Sequence, residues 1–126
     1  MKFKTLLLGL MVIYLSASAQ NLQLRSNLSY GSNALANIGG YTDNSGNEYA
    51  LVGTDFGLSI VDVTDPDNPV IKFTVNGPSS SWREVKTYRN VAYVTTEGGG
   101  GLQVIDLSNL PTSVNTTNYT GDGPIA

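Results

Sequence analysis

The residues of this chain that could do chemistry are carboxylates and a single tryptophan, because histidine and cysteine are both absent. Zinc and copper sites rely on those two residue types, and so do Ser-His-Asp and Cys-His nucleophile systems. Paired carboxylates are the remaining catalytic option, and Asp62 and Asp106 stand at equivalent places in two similar segments. A carboxylate there is interpreted as an acceptor for backbone N–H groups of the following turn, with a general acid or base as the alternative.

An acidic turn begins at the first of these carboxylates. Asp62, Asp65, Asp67 and Asn68 place four oxygen-bearing side chains within a short stretch around Pro66. Calcium prefers several oxygen ligands from a flexible loop, so this turn is a candidate metal site. The EF-hand spacing, with its glycine and terminal glutamate, is missing, and an ordinary proline and aspartate turn is the competing interpretation. No other cofactor is predicted.

A second group, Trp82, Arg83 and Glu84, is the candidate binding surface. Exposed aromatic rings stack on sugars or anchor protein partners, and arginine adds directed hydrogen bonds. Strand alternation places Trp82 and Glu84 on one face and Arg83 with Val85 on the other, which indicates that the Arg83 face is buried. In the competing interpretation Trp82 packs between sheets and Arg83 pairs with a neighbouring acid. Glu97 is a further acid outside the repeat.

The elements that must position these residues are strands in a repeat. Residues 57–64 (GLSIVDVT) recur 44 residues later as residues 101–108 (GLQVIDLS), and each copy follows a strand-like run and leads into a proline turn. A period in the forties made of β-type residues is the size of one propeller blade. The sequence therefore predicts an all-β fold, with the antiparallel β-sheet repeats of a β-propeller-like domain. The repeat units span about residues 48–70 and 91–111.

The remaining pattern is one of strands and turns. Residues 21–30 alternate apolar and polar side chains, which favours a half-buried strand, whereas 31–38 are expected as a loop or a helical turn. A hairpin is predicted through 41–49, and 98–101 form a glycine loop rather than a phosphate cradle, because no helix follows. Further strands are predicted at 49–52, 58–63, 70–75, 82–88, 91–96 and 102–107.

The first nineteen residues have the three parts of a secretory signal peptide. Lys2 and Lys4 precede an apolar run at residues 5–15, and Ala17 and Ala19 stand at the key positions of a small-residue cleavage site. The apolar run is too short for a spanning helix. We expect cleavage near Ala19-Gln20, a secreted, extracellular or cell-surface location, and no membrane insertion afterwards.

Charge and cysteine content limit the classes of partner that are expected for this protein. After signal removal five basic residues face ten acidic ones, a net charge of −5. An acidic chain without a basic cluster is unsuited to nucleic acid, because phosphate neutralisation dominates that affinity. The lack of cysteine suits a bacterial exported protein. A polysaccharide or a surface protein is the expected partner, and the sequence leaves the oligomeric state open.

Two segments carry a family resemblance. Residues 48–66 and 102–107 resemble the LVIVD repeat, and residues 79–86 (SSSWREVK) resemble the S-S-W-R-[DE]-[IV]-K segment of the secreted choice-of-anchor B family. The resemblance covers about residues 36–126. It implies an extracellular or surface-attached bacterial protein with a propeller-like domain, a variable C-terminal anchoring element and no established enzymatic activity.

Two functional hypotheses remain. Residues 20–126 are interpreted as the N-terminal part of a longer propeller-like domain, truncated after about two blades, because two repeats cannot bury both of their faces. The first hypothesis is a secreted or surface-attached, non-enzymatic binding or scaffold module. The alternative is an extracellular propeller-based hydrolase or lyase with catalytic residues in missing C-terminal repeats. The sequence favours the non-enzymatic hypothesis, and no catalytic residue is assigned.

Overall fold

The computed structural model describes residues 22–121, so the predicted signal peptide lies outside the described residues. Alternating apolar positions and frequent turn residues give eight strands in this part of the chain. They are β1 (Leu35–Thr42), β2 (Glu48–Thr54), β3 (Gly57–Asp62), β4 (Val70–Asn76), β5 (Arg83–Tyr88), β6 (Val91–Thr96), β7 (Leu102–Asp106) and β8 (Asn115–Tyr119).

The strands form two separate four-stranded sheets. The first has the order β1-β2-β3-β4 and the second β5-β6-β7-β8, with every neighbouring pair antiparallel. Each sheet is thus a simple meander, which is the form of a propeller blade. The all-β prediction is confirmed. Within residues 22–121, no helix has the length and apolar character needed to cross a membrane.

The hairpin turn between β1 and β2 follows from its sequence. Asp43 Oδ1 accepts hydrogen bonds from the backbone N–H groups of Ser45 (2.8 Å) and Asn47 (2.9 Å). Gly46 takes a positive φ of 87°, which glycine adopts without steric cost. The predicted hairpin is confirmed, because an aspartate that bonds its own turn specifies the reversal locally.

The segment before this hairpin departs from the sequence expectations. Residues 22–30 form no strand, and Leu22 is fully exposed, so the predicted strand at 21–30 is wrong for its described part. The expected loop or helical turn at 31–38 is wrong from Leu35 onward, where β1 begins. Both errors have one cause: pairing with β2 decides which residues become strand, and that partner is distant in the chain.

A glycine opens the third strand of each sheet for a steric reason. A Cβ on Gly57 would lie 2.1 Å from the Val75 carbonyl oxygen, and one on Gly101 would lie 2.3 Å from that of Tyr119. Both glycines have positive φ, 153° and 78°. Because the obstructing atoms are backbone, no side-chain movement makes room. The glycines of the repeat are therefore required by the close approach of the fourth strand.

The two sheets pack face to face around one apolar core. One face of the first sheet contributes Tyr49, Leu51, Leu58 and Ile60, which are at most 2% exposed. The second sheet contributes a set that is also buried: Val85, Ala92, Val94, Ile105, Leu107 and Leu110. The first strands of the two sheets, β1 and β5, lie closest to each other. A Cβ at position 39 would lie 3.3 Å from Val85 Cγ1, so Gly39 leaves room for the Val85 side chain.

Candidate functional site

Trp82 ends the connection, residues 77–82, that crosses from β4 to β5. Ser80 fixes its backbone on both sides, because Ser80 Oγ accepts from Trp82 N (3.1 Å) and donates to Trp82 O (2.9 Å). Ser80 N in turn donates to the Asp55 carbonyl oxygen (2.9 Å), and Gly77 N donates to that of Phe56 (2.9 Å). The connection is therefore tied to the β2–β3 turn and presents Trp82 in a defined position.

Arg83 holds the same connection from beneath. Its Nε donates to the Thr54 carbonyl oxygen (2.8 Å) and its Nη2 to that of Pro78 (2.6 Å). The side chain is 5% exposed, and burial lowers the pKa of its guanidinium, which nearby Asp55 partly opposes. Val85 lies on the same face and is 2% exposed, so the predicted buried face is confirmed. The hydrogen bonds join Arg83 to carbonyl oxygens rather than to the acid expected in the competing interpretation.

Trp82 itself is 69% exposed, so the interpretation that it packs between sheets is wrong. Its indole borders a cleft of about 400 Å³ that Leu35 and Asn37 of β1 line from the other side, together with Ser81 and Glu84. A second depression of about 320 Å³ adjoins it and is lined by Thr95, Thr96 and Glu97 as well. These two hollows, which share Trp82, Arg83 and Glu84, are called the Trp82 cleft below.

The polar groups of the Trp82 cleft are held in place by one another. Asn37 Nδ2 donates to Glu84 Oε2 (3.0 Å) across the junction of the two sheets, and Glu84 Oε1 forms an ion pair with Lys86 Nζ. The carboxylate is therefore oriented beside the indole. An exposed ring next to amide, carboxylate and hydroxyl groups can stack on a flat apolar surface and hydrogen-bond to its substituents.

Asn37 and Leu35 are the site residues that the sequence analysis missed. Both lie in the segment expected as a loop or a helical turn, and neither has a distinctive sequence signal. They enter the site only because β1 of the first sheet lies against β5 of the second. The structure thus unites Trp82, Arg83 and Glu84 with residues of the other sheet, and the buried Arg83 lines the floor of the cleft.

The repeated carboxylates bond their own turns. Asp62 Oδ1 accepts from Thr64 N (3.1 Å), and Asp106 Oδ1 accepts from Ser108 N (2.9 Å), which confirms their interpretation as turn acceptors. Hydrogen bonding to Thr64 is the main cause that lowers the pKa of Asp62, and Lys72 lowers it further. Hydrogen bonding to Ser108 likewise lowers the pKa of Asp106.

The other acids of the turn have protein partners too. Asp65 accepts from Asp67 N (3.0 Å) and from Asn68 Nδ2 (2.8 Å). Asp67 receives two bonds from Arg25, at 2.7 Å from Nε and 2.6 Å from Nη2. Among residues 22–121 no group of three or more histidine, cysteine or acidic side chains is placed to hold a metal ion. Calcium at Asp62, Asp65, Asp67 and Asn68 stays a prediction.

The architecture first defines a class. Two stacked four-stranded meanders, each with a glycine-opened third strand and an aspartate turn after it, are consecutive blades of a tandem β-repeat protein. The model of the LVIVD repeat family matches residues 44–77 and 81–120, which together make up more than half of the chain, so the chain belongs to this family. No curated protein matches the chain, and no solved structure does.

Proposed function

We propose that this chain is a secreted or surface-attached, non-enzymatic binding module of propeller-like form, and that the Trp82 cleft recognises a polysaccharide. One observation carries the proposal: a 69% exposed tryptophan stands on a hydrogen-bonded connection, beside an oriented carboxylate. Large exposed aromatic side chains that are fixed in place are typical of binding sites, because they bury much apolar area at little entropic cost.

The charges around the cleft favour a neutral, hydroxyl-rich ligand. The Arg83 guanidinium donates to carbonyl oxygens inside the protein, and the Lys86 ammonium pairs with Glu84. An anionic ligand would therefore find little positive charge, whereas Glu84 and Glu97 can accept hydrogen bonds from sugar hydroxyls. The ring face of a sugar is apolar and can stack on the indole while its hydroxyls reach these acceptors.

The proposed location, secreted or attached to the cell surface, is supported by the sequence. The basic residues, apolar run and small residues at 1–19 support a cleaved signal peptide, and the resemblance of residues 79–86 to the choice-of-anchor B segment supports surface attachment. Expression in a bacterial host with the native leader tests the export step. We expect a mature protein that begins at Gln20, which N-terminal mass spectrometry of the exported fraction would show.

The alternative is an extracellular hydrolase or lyase of propeller form, with catalytic residues in C-terminal repeats beyond this sequence. Its support here is that Glu84 and Glu97 line the same depression as Trp82. Hydrogen-bond acceptors beside an exposed ring would hold a polysaccharide substrate for those repeats. Incubation with any bound polysaccharide, followed by analysis of the products, separates the two functions: an intact polymer supports a binding module, and shorter chains support the enzyme.

A glycan array with the full chain, followed by calorimetry on the best ligand, tests recognition. Trp82→Ala should weaken binding at least about tenfold, since central aromatic contacts contribute about 2 kcal/mol or more. Tyr88→Ala is the matched control, because Tyr88 is 63% exposed yet does not line the cleft. Equal binding by wild type and Trp82→Ala, or equal losses in the two variants, would remove the Trp82 cleft as the recognition site.

A further inference from the structure

Two buried side-chain oxygens lie where the first sheet meets the second, and neither has a protein partner. Asp55 Oδ1 belongs to the turn between β2 and β3, and Gln103 Oε1 belongs to β7. Neither oxygen accepts a hydrogen bond from any of residues 22–121, and both are shielded from solvent. The Gln103 residue as a whole is 8% exposed. A buried acceptor without a donor costs folding free energy, so native proteins rarely leave one unpaired.

Arg83 carries a donor that matches these acceptors. Its Nε and Nη2 donate to carbonyl oxygens of the chain, whereas Nη1 makes no hydrogen bond within residues 22–121. Asp55 attracts the Arg83 guanidinium electrostatically, yet no ion pair joins these two side chains in the described part of the chain. The two charges therefore attract each other without direct contact.

The three side chains come together where β4 ends. Gln103 Nε2 donates to the Asn76 carbonyl oxygen (2.9 Å). A Cβ on the next residue, Gly77, would lie 3.0 Å from Arg83 Nη1. Gly77 N donates to the Phe56 carbonyl oxygen (2.9 Å), which brings the turn between β2 and β3 to the same place. The remaining donor of the arginine and the two unpaired oxygens thus lie around one short stretch of backbone.

The chemistry of these three groups selects the ligand that can join them. Two acceptors and one donor need a bridge that both donates and accepts hydrogen bonds. A metal ion cannot accept a bond from Arg83 and is repelled by its positive charge, and a simple anion cannot donate to the two oxygens. A water molecule does both, and buried waters typically make about three hydrogen bonds to groups that lack protein partners. A water between Asp55 and Arg83 also explains attraction without an ion pair.

The residues of this junction are not those of the repeat. Forty-four residues after Asp55 the chain has Gly99, which has no side chain to accept a hydrogen bond. The first sheet carries the apolar Ile38 at the register position that Arg83 occupies in the second. The repeat pattern therefore does not require the acid or the arginine, and both belong to the contact between these two sheets.

The same three residues hold the connection that ends at Trp82. Three hydrogen bonds join them to this connection or to the residue before it: Gln103 Nε2 to Asn76 O, Arg83 Nη2 to Pro78 O, and Ser80 N to Asp55 O. We propose that Asp55, Arg83 and Gln103 enclose an internal water molecule that joins the two sheets and fixes the connection. Asp55 and Gln103 are then positioning residues for Trp82, a role that rests on the proposed function of the Trp82 cleft.

A high-resolution crystal structure of the full chain tests the water site directly. We expect one water oxygen at about 2.7–3.2 Å from Asp55 Oδ1, Gln103 Oε1 and Arg83 Nη1. Direct contact between the guanidinium and either oxygen, with no water between them, would overturn the proposal. A density peak at about 2.3–2.6 Å from the two oxygens would overturn it too, because that is the spacing of a bound cation.

The effect on the connection can be measured in solution without any ligand. Trp82 is the only tryptophan of the chain, so the decay of its fluorescence anisotropy reports how firmly it is held. Asp55→Ala removes the acceptor but keeps the backbone bond to Ser80 N. In this variant the anisotropy lost to motion within nanoseconds should rise about twofold. Asp55→Asn should behave as the wild type, because a neutral amide oxygen still accepts a hydrogen bond from water.

The two substitutions at Asp55 separate the water from simple charge attraction. Equal loosening of Trp82 in both variants would assign the effect to the charge and overturn the proposal, as would unchanged motion in a folded Asp55→Ala variant. Tyr41→Phe is the matched control, because it removes a different bond between the sheets, Tyr41 OH to Asn90 Oδ1 (3.1 Å), and should leave Trp82 as it is. Neither measurement uses a glycan, so a failure of sugar recognition leaves both results unaffected.

Discussion

The two sheets share their strand order, their opening glycine and their aspartate turn, yet they bury equivalent residues to different degrees. Leu58 and Ile60 of the first sheet are 0% exposed, whereas Leu102 and Val104 of the second are half-buried. The repeat unit therefore encodes the faces of each sheet but not their coverage. Coverage depends on what lies next to a sheet, and the neighbours of the first and second sheets differ.

The largest effect should come from the buried leucine. Leu58→Ala should lower the free energy of unfolding by about 3 kcal/mol, because it removes a fully buried side chain and leaves a cavity. Leu102→Ala, at the equivalent place, should cost only about 1 kcal/mol, because a half-exposed side chain loses less transfer free energy. Urea denaturation followed by circular dichroism measures both.

The ratio of the two losses of unfolding free energy tests the difference in burial between the two sheets. Equal losses would mean that the outer face of the second sheet is covered in solution, and the contrast between the sheets would then be wrong. Measurement at several protein concentrations distinguishes self-association as the source of such coverage, because only association makes the midpoint concentration-dependent.

A smaller effect, shared by both sheets, is expected at the opening glycines. Gly57→Ala and Gly101→Ala should each cost about 2 kcal/mol, because the new Cβ would meet a backbone oxygen at 2.1 and 2.3 Å and both residues have positive φ. Thermal melts of the two variants measure the losses. Gly40→Ala is the control, since no atom lies within 4 Å of its Cβ position. A stable Gly101→Ala variant beside an unstable Gly57→Ala would show that the repeats are not equivalent here.

The smallest effect should appear in acid. The pKa values of Asp62 and Asp106 lie below the ordinary 3.8 in the folded chain, so the unfolded chain binds more protons as the pH falls. Their stabilisation is complete above about pH 4 and is lost as the pH drops through the folded-state pKa values. Asp62→Asn and Asp106→Asn should each flatten the fall of the urea midpoint between pH 5 and about pH 2.

The salt dependence of the acid loss of stability should distinguish these two aspartates. Lys72 Nζ lies 3.6 Å from Asp62 Oδ2, and Coulomb attraction to Lys72 contributes to the lowered pKa of Asp62 alone. Added salt screens partly exposed charge pairs. The acid loss of stability that depends on Asp62 should therefore shrink in about 1 M salt. The loss that depends on Asp106 should change less. A larger effect of salt on the loss that depends on Asp106 would contradict the assignment of the Lys72 attraction to Asp62.

Much of the fold could be predicted from local sequence. The hairpin at Asp43 and Gly46, the turn bonds of Asp62 and Asp106, and the buried face of Arg83 all follow from short-range rules on turns and alternation. The strand boundaries before residue 40 did not follow, because β1 is defined by its pairing with β2, and the course of residues 26–30 is defined by contacts with β3 and the turn after it.

The candidate site was only half predictable. Trp82 and Glu84 stood out in the sequence because these residue types do not recur in the two copies of the repeat, and alternation placed them on one face. Their partner Asn37 belongs to the other sheet, 47 residues away in the chain. Sequence spacing gives no sign of such a contact, because it arises when two first strands meet.

The sequence by itself determined the repeat, its β character, its turn chemistry and the two faces of each sheet, since period, glycine and aspartate act over a few residues. The tertiary structure decided that Trp82 stands exposed, that Arg83 donates to carbonyl oxygens, and that Tyr30 hydrogen-bonds to Ser59 of the first sheet. The physical reason is the range of the interactions: a local pattern fixes which way a side chain points, and only distant segments of the chain fix what it meets there.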